Sequence, residues 1–295
     1  MASVLVAGHV NWDVTLVIDR LPGADEEASI RDRHRAGGGS AANVATALAG
    51  LDLDARLLGS VGDDELGRGV RDRLAEHGVD VDPVTAVPGA TSTKYLLVAG
   101  DEVAMLGNDG ANEAIGPDDV DSGVVADVDH VHITGQRADT AERLAELAVD
   151  AGCSVSLDPG RRAGDRALDG VAARADVVFG TDREIAALYG DESPEPAEAT
   201  EQERLVVATS GAGGARCVRG DEERTHSGFD VDVADTSGAG DAFVAGFLSV
   251  WLAEPTDLDE ALAVGNACGA IASRRIGAQT NVDPEAVATL WDPTA

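Results

Sequence analysis

Short runs rich in valine, isoleucine and leucine alternate along the chain with amphipathic stretches. That rhythm leaves few architectures open, because a short, continuously apolar strand needs cover on both faces and the intervening stretches supply it as helices. The fold class expected is α/β with a mostly parallel central sheet. Strands are placed at 4–8, 56–60, 130–134, 154–158, 176–179 and 205–208, and helices at 41–49, 65–77, 141–151, 183–189, 239–252, 257–274 and 284–290. Segments 14–18, 28–35, 93–98 and 103–106 break the rhythm and read as extended pieces set off by turn residues. They are expected to form a small β lid, over approximately residues 13–36 and 90–107 of a single 1–295 domain. Residues 191–203, with six acids, two prolines and no base, read as a solvated surface loop.

Charge narrows the partners. Lys and Arg number 22 against 54 Asp and Glu, a net charge of −32, and Lys94 is the one lysine. A nucleic acid partner is disfavoured, because a phosphate backbone would be repelled. The longest apolar stretch, 242–253, runs 12 residues and contains Gly246 and Ser249, whereas crossing a bilayer takes roughly 18 or more, so no membrane partner is expected. The opening Met1-Ala2-Ser3-Val4-Leu5-Val6 lacks the basic residue of a secretory signal and reads as a first strand, which points to the cytoplasm. Cys153, Cys217 and Cys268 are odd in number and widely spaced, so they read as small buried side chains rather than a disulfide framework or a zinc site. The acidic excess is spread along the chain and comes with few lysines and aromatics, a pattern suited to concentrated salt and a halophilic source.

Three segments carry the chemistry. Asp235-Thr236-Ser237-Gly238-Ala239-Gly240-Asp241-Ala242-Phe243 lies between an extended segment and a long apolar helix. Gly238 and Gly240 remove side chains where the helix presents its first unpaired amides, so an anion can come close, and Asp241 falls in the first turn, where its carboxylate could take the proton of an attacking hydroxyl. Helix capping and the helix dipole also favour Ser, Thr and Asp here, but capping alone does not require two glycines. A Walker loop would have lysine where Asp241 stands, so that class of nucleotide triphosphatase is disfavoured. The second segment is Gly37-Gly38-Gly39-Ser40-Ala41-Ala42-Asn43, where glycine backbone and the Asn43 amide suit a neutral polyol better than a metal. In the third, Gly8-His9-Val10-Asn11-Trp12-Asp13, placed at the end of the first strand, alternation puts Asn11 and Asp13 on one face and Trp12 on the other.

The Gly-Gly-x-x-x-x-Asn element, the Asp-Thr-Ser-Gly-Ala-Gly-Asp-Ala-Phe element and the order of segments between them resemble the ribokinase-like family, also called PfkB carbohydrate kinases, over nearly the whole chain. The resemblance implies a three-layer α/β/α sandwich with a lid and transfer of the γ-phosphoryl group of ATP to a hydroxyl of a sugar, sugar derivative or nucleoside. It makes Asp241 the base and the backbone of Gly238, Ala239 and Gly240 the anion hole. It makes Asn11, Asp13, Gly38, Gly39 and Asn43 the substrate-binding positions. The turn holding Ser210, Gly211 and Gly214 is similar to the family's nucleotide-binding turn, although a tight hairpin would show the same glycines, and Asn266 matches an adenine-side position or is an ordinary surface asparagine. Where the family usually shows Asn-x-x-Glu, this chain has Thr181-Asp182-Arg183-Glu184. The resemblance makes Glu184 a water-mediated magnesium ligand and Asp235 and Ser237 a K+ site. The exposed strand edges of the lid point to a homodimer through it.

Other residues carry less. His130 and His132 alternate on a strand without a third ligand and read as structural. Phe243, Gly246, Phe247, Val250 and Trp251 read as the buried stripe of the helix carrying Asp241. An arginine of Asp158-Pro159-Gly160-Arg161-Arg162 could reach a phosphate. Two competing readings are a binding regulator of the same fold without catalysis, disfavoured by Asp241 beside two glycines, and a dinucleotide oxidoreductase, which lacks an opening strand–Gly-x-Gly-x-x-Gly–helix unit.

Overall fold

A computed structural model of the chain describes residues 1–100, 102–165, 167–189, 204–279 and 282–291. The expected loop at 191–203 lies outside them, as do the side chains of Arg161 and Arg162. The chain runs β1 (Ser3–Ala7), β2 (Asn11–Ile18), β3 (Ile30–Gly38), α1 (Ser40–Gly50), β4 (Asp54–Gly62), α2 (Glu65–Glu76), β5 (Val84–Val87), β6 (Thr93–Ala99), β7 (Glu102–Asn108), β8 (His130–Thr134), α3 (Ala138–Ala151), β9 (Ser154–Asp158), α4 (Asp169–Arg174), β10 (Val177–Thr181), α5 (Asp182–Tyr189), β11 (Leu205–Thr209), β12 (Ala215–Arg219), β13 (Glu222–His226), α6 (Ala239–Trp251), α7 (Leu258–Ser273) and α8 (Pro284–Ala288).

Among the described residues nine strands form one sheet in the order β13-β12-β11-β10-β9-β8-β1-β4-β5. All neighbours from β11 to β5 run parallel, and only β12 and β13 are antiparallel additions at one edge. In β1, Val4 and Val6 pack with α1, α2, α6 and α7, while Leu5 and Ala7 pack with α3, α4 and α5. The sheet is therefore covered on both faces, which is why its strands read as unbroken apolar runs rather than alternating ones. Cys153, Cys217 and Cys268 are buried free thiols. His130 and His132 are fully buried against Ser154 and Ser156 at 2.7–2.8 Å, and burial pushes both imidazoles down to about 3, so they stay neutral and structural.

The chain leaves β1 toward β4 and β5 on one side and returns to β8, β9, β10 and β11 on the other. Between β1 and β8 the order reverses, and in such sheets a crevice opens beyond the carboxyl ends of the strands at that point. Gly8 and Gly135 stand there: a Cβ on Gly8 would strike the Thr134 carbonyl, and one on Gly135 would touch the His9 ring at 3.0 Å.

A second sheet, β3-β2-β6-β7, lies over this end. It corrects one placement: Asn11, Trp12 and Asp13 do not end the first strand but begin β2, because β1 stops at Ala7 and Trp12 donates its N–H to Ser92 O at 2.8 Å in the line of the second sheet. Their alternation survives the move. Trp12 packs on the core beneath Arg73, whereas Asp13 faces the cleft. The lid strands run longer than expected at several ends, and β5, β12 and β13 were not anticipated at all.

Candidate active site

The glycine before each of two helices sets the geometry. Gly39 precedes α1 at φ 96°, pressed so closely on the His9 carbonyl that no side chain fits. Gly238 precedes α6 at φ 74°, where a Cβ would strike the Ala278 carbonyl. Left-handed backbone and close packing together require glycine at both. Over Gly240 an added Cβ would meet nothing within 4 Å, so the start of α6 faces open space, and its first amides project there. The Ala239 N–H also donates to Thr236 O at 3.2 Å, which closes the turn.

Asn43, in the first turns of α1, donates its Nδ2 hydrogen to Asp241 Oδ2 at 2.7 Å. The two helix starts are thus tied across 198 residues of sequence, and the carboxylate acceptor fixes the orientation of the amide. The Asn43 amide is expected to offer a polyol both a donor and an acceptor. Its Nδ2 holds Asp241, while its Oδ1 is buried without a partner. Asp13 lies over Gly38, where any Cβ would collide with its carboxylate, and Asp13 Oδ1 is likewise buried and unpartnered. Buried polar atoms in folded chains are nearly always hydrogen-bonded, so two orphaned acceptors beside one carboxylate describe a place for hydroxyl donors. A cleft of about 310 Å³ opens at Asp13, between the lid residues Asp13, Thr15, Arg33, His34, Arg35 and Leu96 and the body residues Ser237, Ile276, Gly277 and Ala278.

Burial is the main reason the Asp13 carboxyl is pushed up to about 7. Lys94 opposes the shift, and the charges of Asp241 and Asp235 add to it. Asp13 is then protonated below about pH 7 and ionised above it. If its carboxylate grips the acceptor, the apparent KM for the acceptor should rise about tenfold per pH unit below 7 and level off above it. The Asp13→Asn variant should have a high KM with no such slope; a wild-type profile equally flat from pH 6 to 8 would remove Asp13 from acceptor binding.

Asn11 accepts from Asn112 Nδ2 at 2.6 Å, and Asn112 also binds Ser92 Oγ and the Val10 N–H. Sequence reasoning missed Asn112, whose only signal was an asparagine beside Gly110 in a turn. It also passed over Asp158 as a carboxylate. Asp158 is half-buried at the end of β9 and is pushed up to about 7, first by burial and then by the charge of Asp241, with the Gly160 N–H opposing and Glu184 adding to the rise. A carboxyl perturbed by burial and by the charge of a second carboxylate is a mark of a functional centre.

The residues expected on the nucleotide side form a second group. Ser210, Gly211 and Gly214 make the turn between β11 and the antiparallel β12, so a hairpin is present, and Ser210 Oγ donates to Asp182 at 3.1 Å. Gly214 packs against the end of β13, where a Cβ would strike the His226 carbonyl. Asn266 is not a surface residue: it is 8% exposed, donates to Leu262 O at 2.8 Å and lies 3.3 Å from His226 Nδ1. The Thr181 substitution also has a physical account. Glu184 Oε2 accepts from the Thr181 N–H at 2.8 Å and Oγ1 at 2.9 Å, and Thr181 Oγ1 accepts from the Glu184 N–H at 3.3 Å. That is a capping box at the start of α5, for which threonine suffices. Asp235 accepts from the Ser237 and Gly277 N–H groups, both at 2.9 Å, and so joins two loops at the cleft.

A model of the pfkB family carbohydrate kinases matches residues 1–285. The chain belongs to that family. It is a phosphotransferase whose acceptor is a sugar-type hydroxyl. It is 53% identical over 292 residues, 98% of each chain, to the ATP-dependent ribose-1-phosphate kinase of Halopiger xanaduensis, and 28% identical over 287 residues, 95% of each, to the ribokinase of Bacillus subtilis. The solved ribokinase of Arabidopsis thaliana, complexed with ribose and ATP, superposes at a TM-score of 0.82 with 24% identity, covering 98% of this chain and 99% of that one.

Proposed function

We propose that this kinase transfers the γ-phosphoryl group of ATP to a free hydroxyl of ribose 1-phosphate. The observation that carries the chemistry is Asp241 Oδ2, held by Asn43 at 2.7 Å at the open start of α6. The acceptor follows from the 53% identical relative that phosphorylates ribose 1-phosphate. In the reaction Asp241 takes the proton of the attacking hydroxyl, the new O–P bond forms in line, the bond from the γ-phosphorus to the bridging oxygen breaks, and ADP leaves with that electron pair. The Gly238, Ala239 and Gly240 backbone lies where charge develops on the phosphoryl oxygens. Asn11, Asp13, Gly38, Gly39 and Asn43 surround the acceptor, and Ser210, Gly211, Gly214 and Asn266 flank the nucleotide. The lid keeps water away from the transferred group.

The residues fit a phosphate-borne magnesium ion. Among the described residues no three His, Cys, Asp or Glu side chains stand close enough to ligate a metal directly. An ion that keeps most of its waters needs only nearby hard oxygens, which Asp158 and Glu184 supply. Bound there, it would neutralise charge on the phosphates. The K+ site belongs to the same proposal: Asp235 puts a carboxylate beside the anion-binding loop, and Ser237 lines the cleft. A non-catalytic regulator has no use for a base so positioned.

ADP release should be followed with ribose 1-phosphate, ribose, fructose and a nucleoside as acceptors in potassium salt. Ribose 1-phosphate is expected to give the largest kcat/KM by about tenfold or more. Faster turnover of a neutral sugar or a nucleoside would replace the acceptor in this reading, and no turnover with any acceptor would favour the regulator.

A further inference from the structure

An acceptor that already carries a phosphate meets an unfavourable field here, because the charges of Asp241 and Asp235 already act on Asp13. Something must oppose them. We propose that Lys94 is the specificity residue through which the acceptor site recognises the phosphate already present on the sugar, an inference that rests on the ribose 1-phosphate reading above.

Lys94 is the only lysine of a chain with net charge −32. It sits on β6 directly across from Asp13 on β2, and cross-strand partners share a face. Two residues along the same strand, Leu96 lines the cleft, as does its cross-strand partner Thr15. Alternation therefore puts Lys94 on the same face of the lid sheet as Leu96, at the edge of that space. Its effect on Asp13 is second only to burial and opposes it, so the ammonium's charge is felt at that carboxylate.

The strand beyond has room for the lysine stem. Lys94 pairs in register with Gly107 on β7, and a Cβ there would come within 2.6 Å of Lys94 Cδ and 3.0 Å of Nζ. Any other residue at 107 would push the side chain aside. The ammonium is 3.6 Å from a carboxylate oxygen of Asp109, a side chain 81% exposed, so this ion pair is loose and screened and leaves the lysine able to take another anion. Two arginines of the lid also line the cleft, from β3. Arg33 and Arg35 pair with Leu16 and Val14, on the opposite face of β2 from Asp13 and Thr15. His34, 3.1 Å from Asp32, shares the register face of Asp13, and Lys94 is the cation paired in register with Asp13 itself.

A direct contact between an ammonium and a phosphate survives salt that screens distant charges, because screening acts over a Debye length and a contact pair lies inside it even at 1 M, where that length is about 3 Å. Recognition by contact is thus compatible with concentrated salt in a way that long-range steering is not.

The test uses the full chain in molar KCl with ribose 1-phosphate and ribose as paired acceptors, comparing wild type, Lys94→Met and Lys94→Arg. Methionine keeps an unbranched stem over Gly107 and removes the charge. In Lys94→Met the ratio of kcat/KM for ribose 1-phosphate to that for ribose should fall about 10- to 100-fold, mainly through KM for the phosphorylated acceptor, the range for losing one charge-assisted contact. Lys94→Arg should restore most of the ratio. Without nucleotide, the rise in Tm produced by ribose 1-phosphate should shrink in Lys94→Met and return in Lys94→Arg. If wild type uses ribose 1-phosphate and the methionine variant loses both acceptors equally, or neither, Lys94 does not read the phosphate and this inference alone falls. A wild type that prefers ribose overturns the acceptor assignment itself, and this inference with it.

Discussion

Asp241→Asn should lower kcat by about 10² to 10⁴, the range for removing a positioned general base, while ATP affinity measured by calorimetry stays within a few-fold. Asparagine keeps the shape, and its side-chain oxygen can still accept from Asn43 Nδ2, so α1 and α6 remain joined at the point where the wild type has its 2.7 Å bond. What disappears is the ability to take a proton and one negative charge. Losing that charge has a second readout. Asp241 raises the pKa of both Asp13 and Asp158, which stand at about 7. In the variant both should titrate lower, so the rise in KM of the residual activity should begin at a more acid pH than in wild type. Turnover near wild type would remove Asp241 from the role of base. A lower kcat with an unmoved KM profile would separate Asp241 electrostatically from Asp13.

The elements that could be read from sequence are those whose pattern answers to a single physical cause. The inner strands β1, β8, β9, β10 and β11 are buried on both faces, and α1 and α6 follow glycine-rich segments, so hydrophobic runs and glycines located them to within a few residues. The hairpin of β12 and β13, with sequences ARCVR and EERTH, was illegible because an edge pair facing solvent carries charge where inner strands carry valine. The short β5, VTAV, shows no period at all. Asn11 and Asp13 were recognised as residues but assigned to the wrong strand, since nothing local tells a chain to break pairing with β4 and begin pairing with β6. The site follows the same rule. Glycines and Asp241 were visible because each serves a local turn, whereas the Asn43–Asp241 bond, the Asn112 clamp on Asn11 and the coupling of Asp158 to Asp241 join distant segments, and only the fold brings them together.

Thermal stability should fall steeply as salt is withdrawn, with Tm lower by ~10 °C or more in 0.01 M than in 1 M KCl, equivalent to several kcal/mol at the usual conversion for a domain of this size. The charge of −32 lies on 14099 Å² of surface. That leaves about 440 Å² for each uncompensated charge, a mean spacing of ~20 Å, against Debye lengths of about 30 Å at 0.01 M and 10 Å at 0.1 M. Repulsion between net charges therefore reaches across the surface at 0.01 M and is largely screened by 0.1 M. Neighbouring acids such as Asp25, Glu26 and Glu27, or Asp118 and Asp119, are only a few ångströms apart. They continue to repel until the Debye length drops to about 3 Å near 1 M. Two stages should thus appear in a plot of Tm against the logarithm of salt concentration, the steeper below 0.1 M. The surface ion pairs cannot offset this. Arg68 with Asp63 at 3.6 Å and Arg20 with Glu26 at 3.6 Å are exposed contacts, each worth well under 1 kcal/mol and themselves weakened by salt. Replacing Asp118 and Asp119 with asparagine should flatten the upper stage and leave the lower one nearly unchanged, because it removes a local cluster but only two of the net charges. A Tm independent of salt from 0.01 to 1 M would mean that the acidic surface is not a folding cost, and that the charge excess acts on solubility alone.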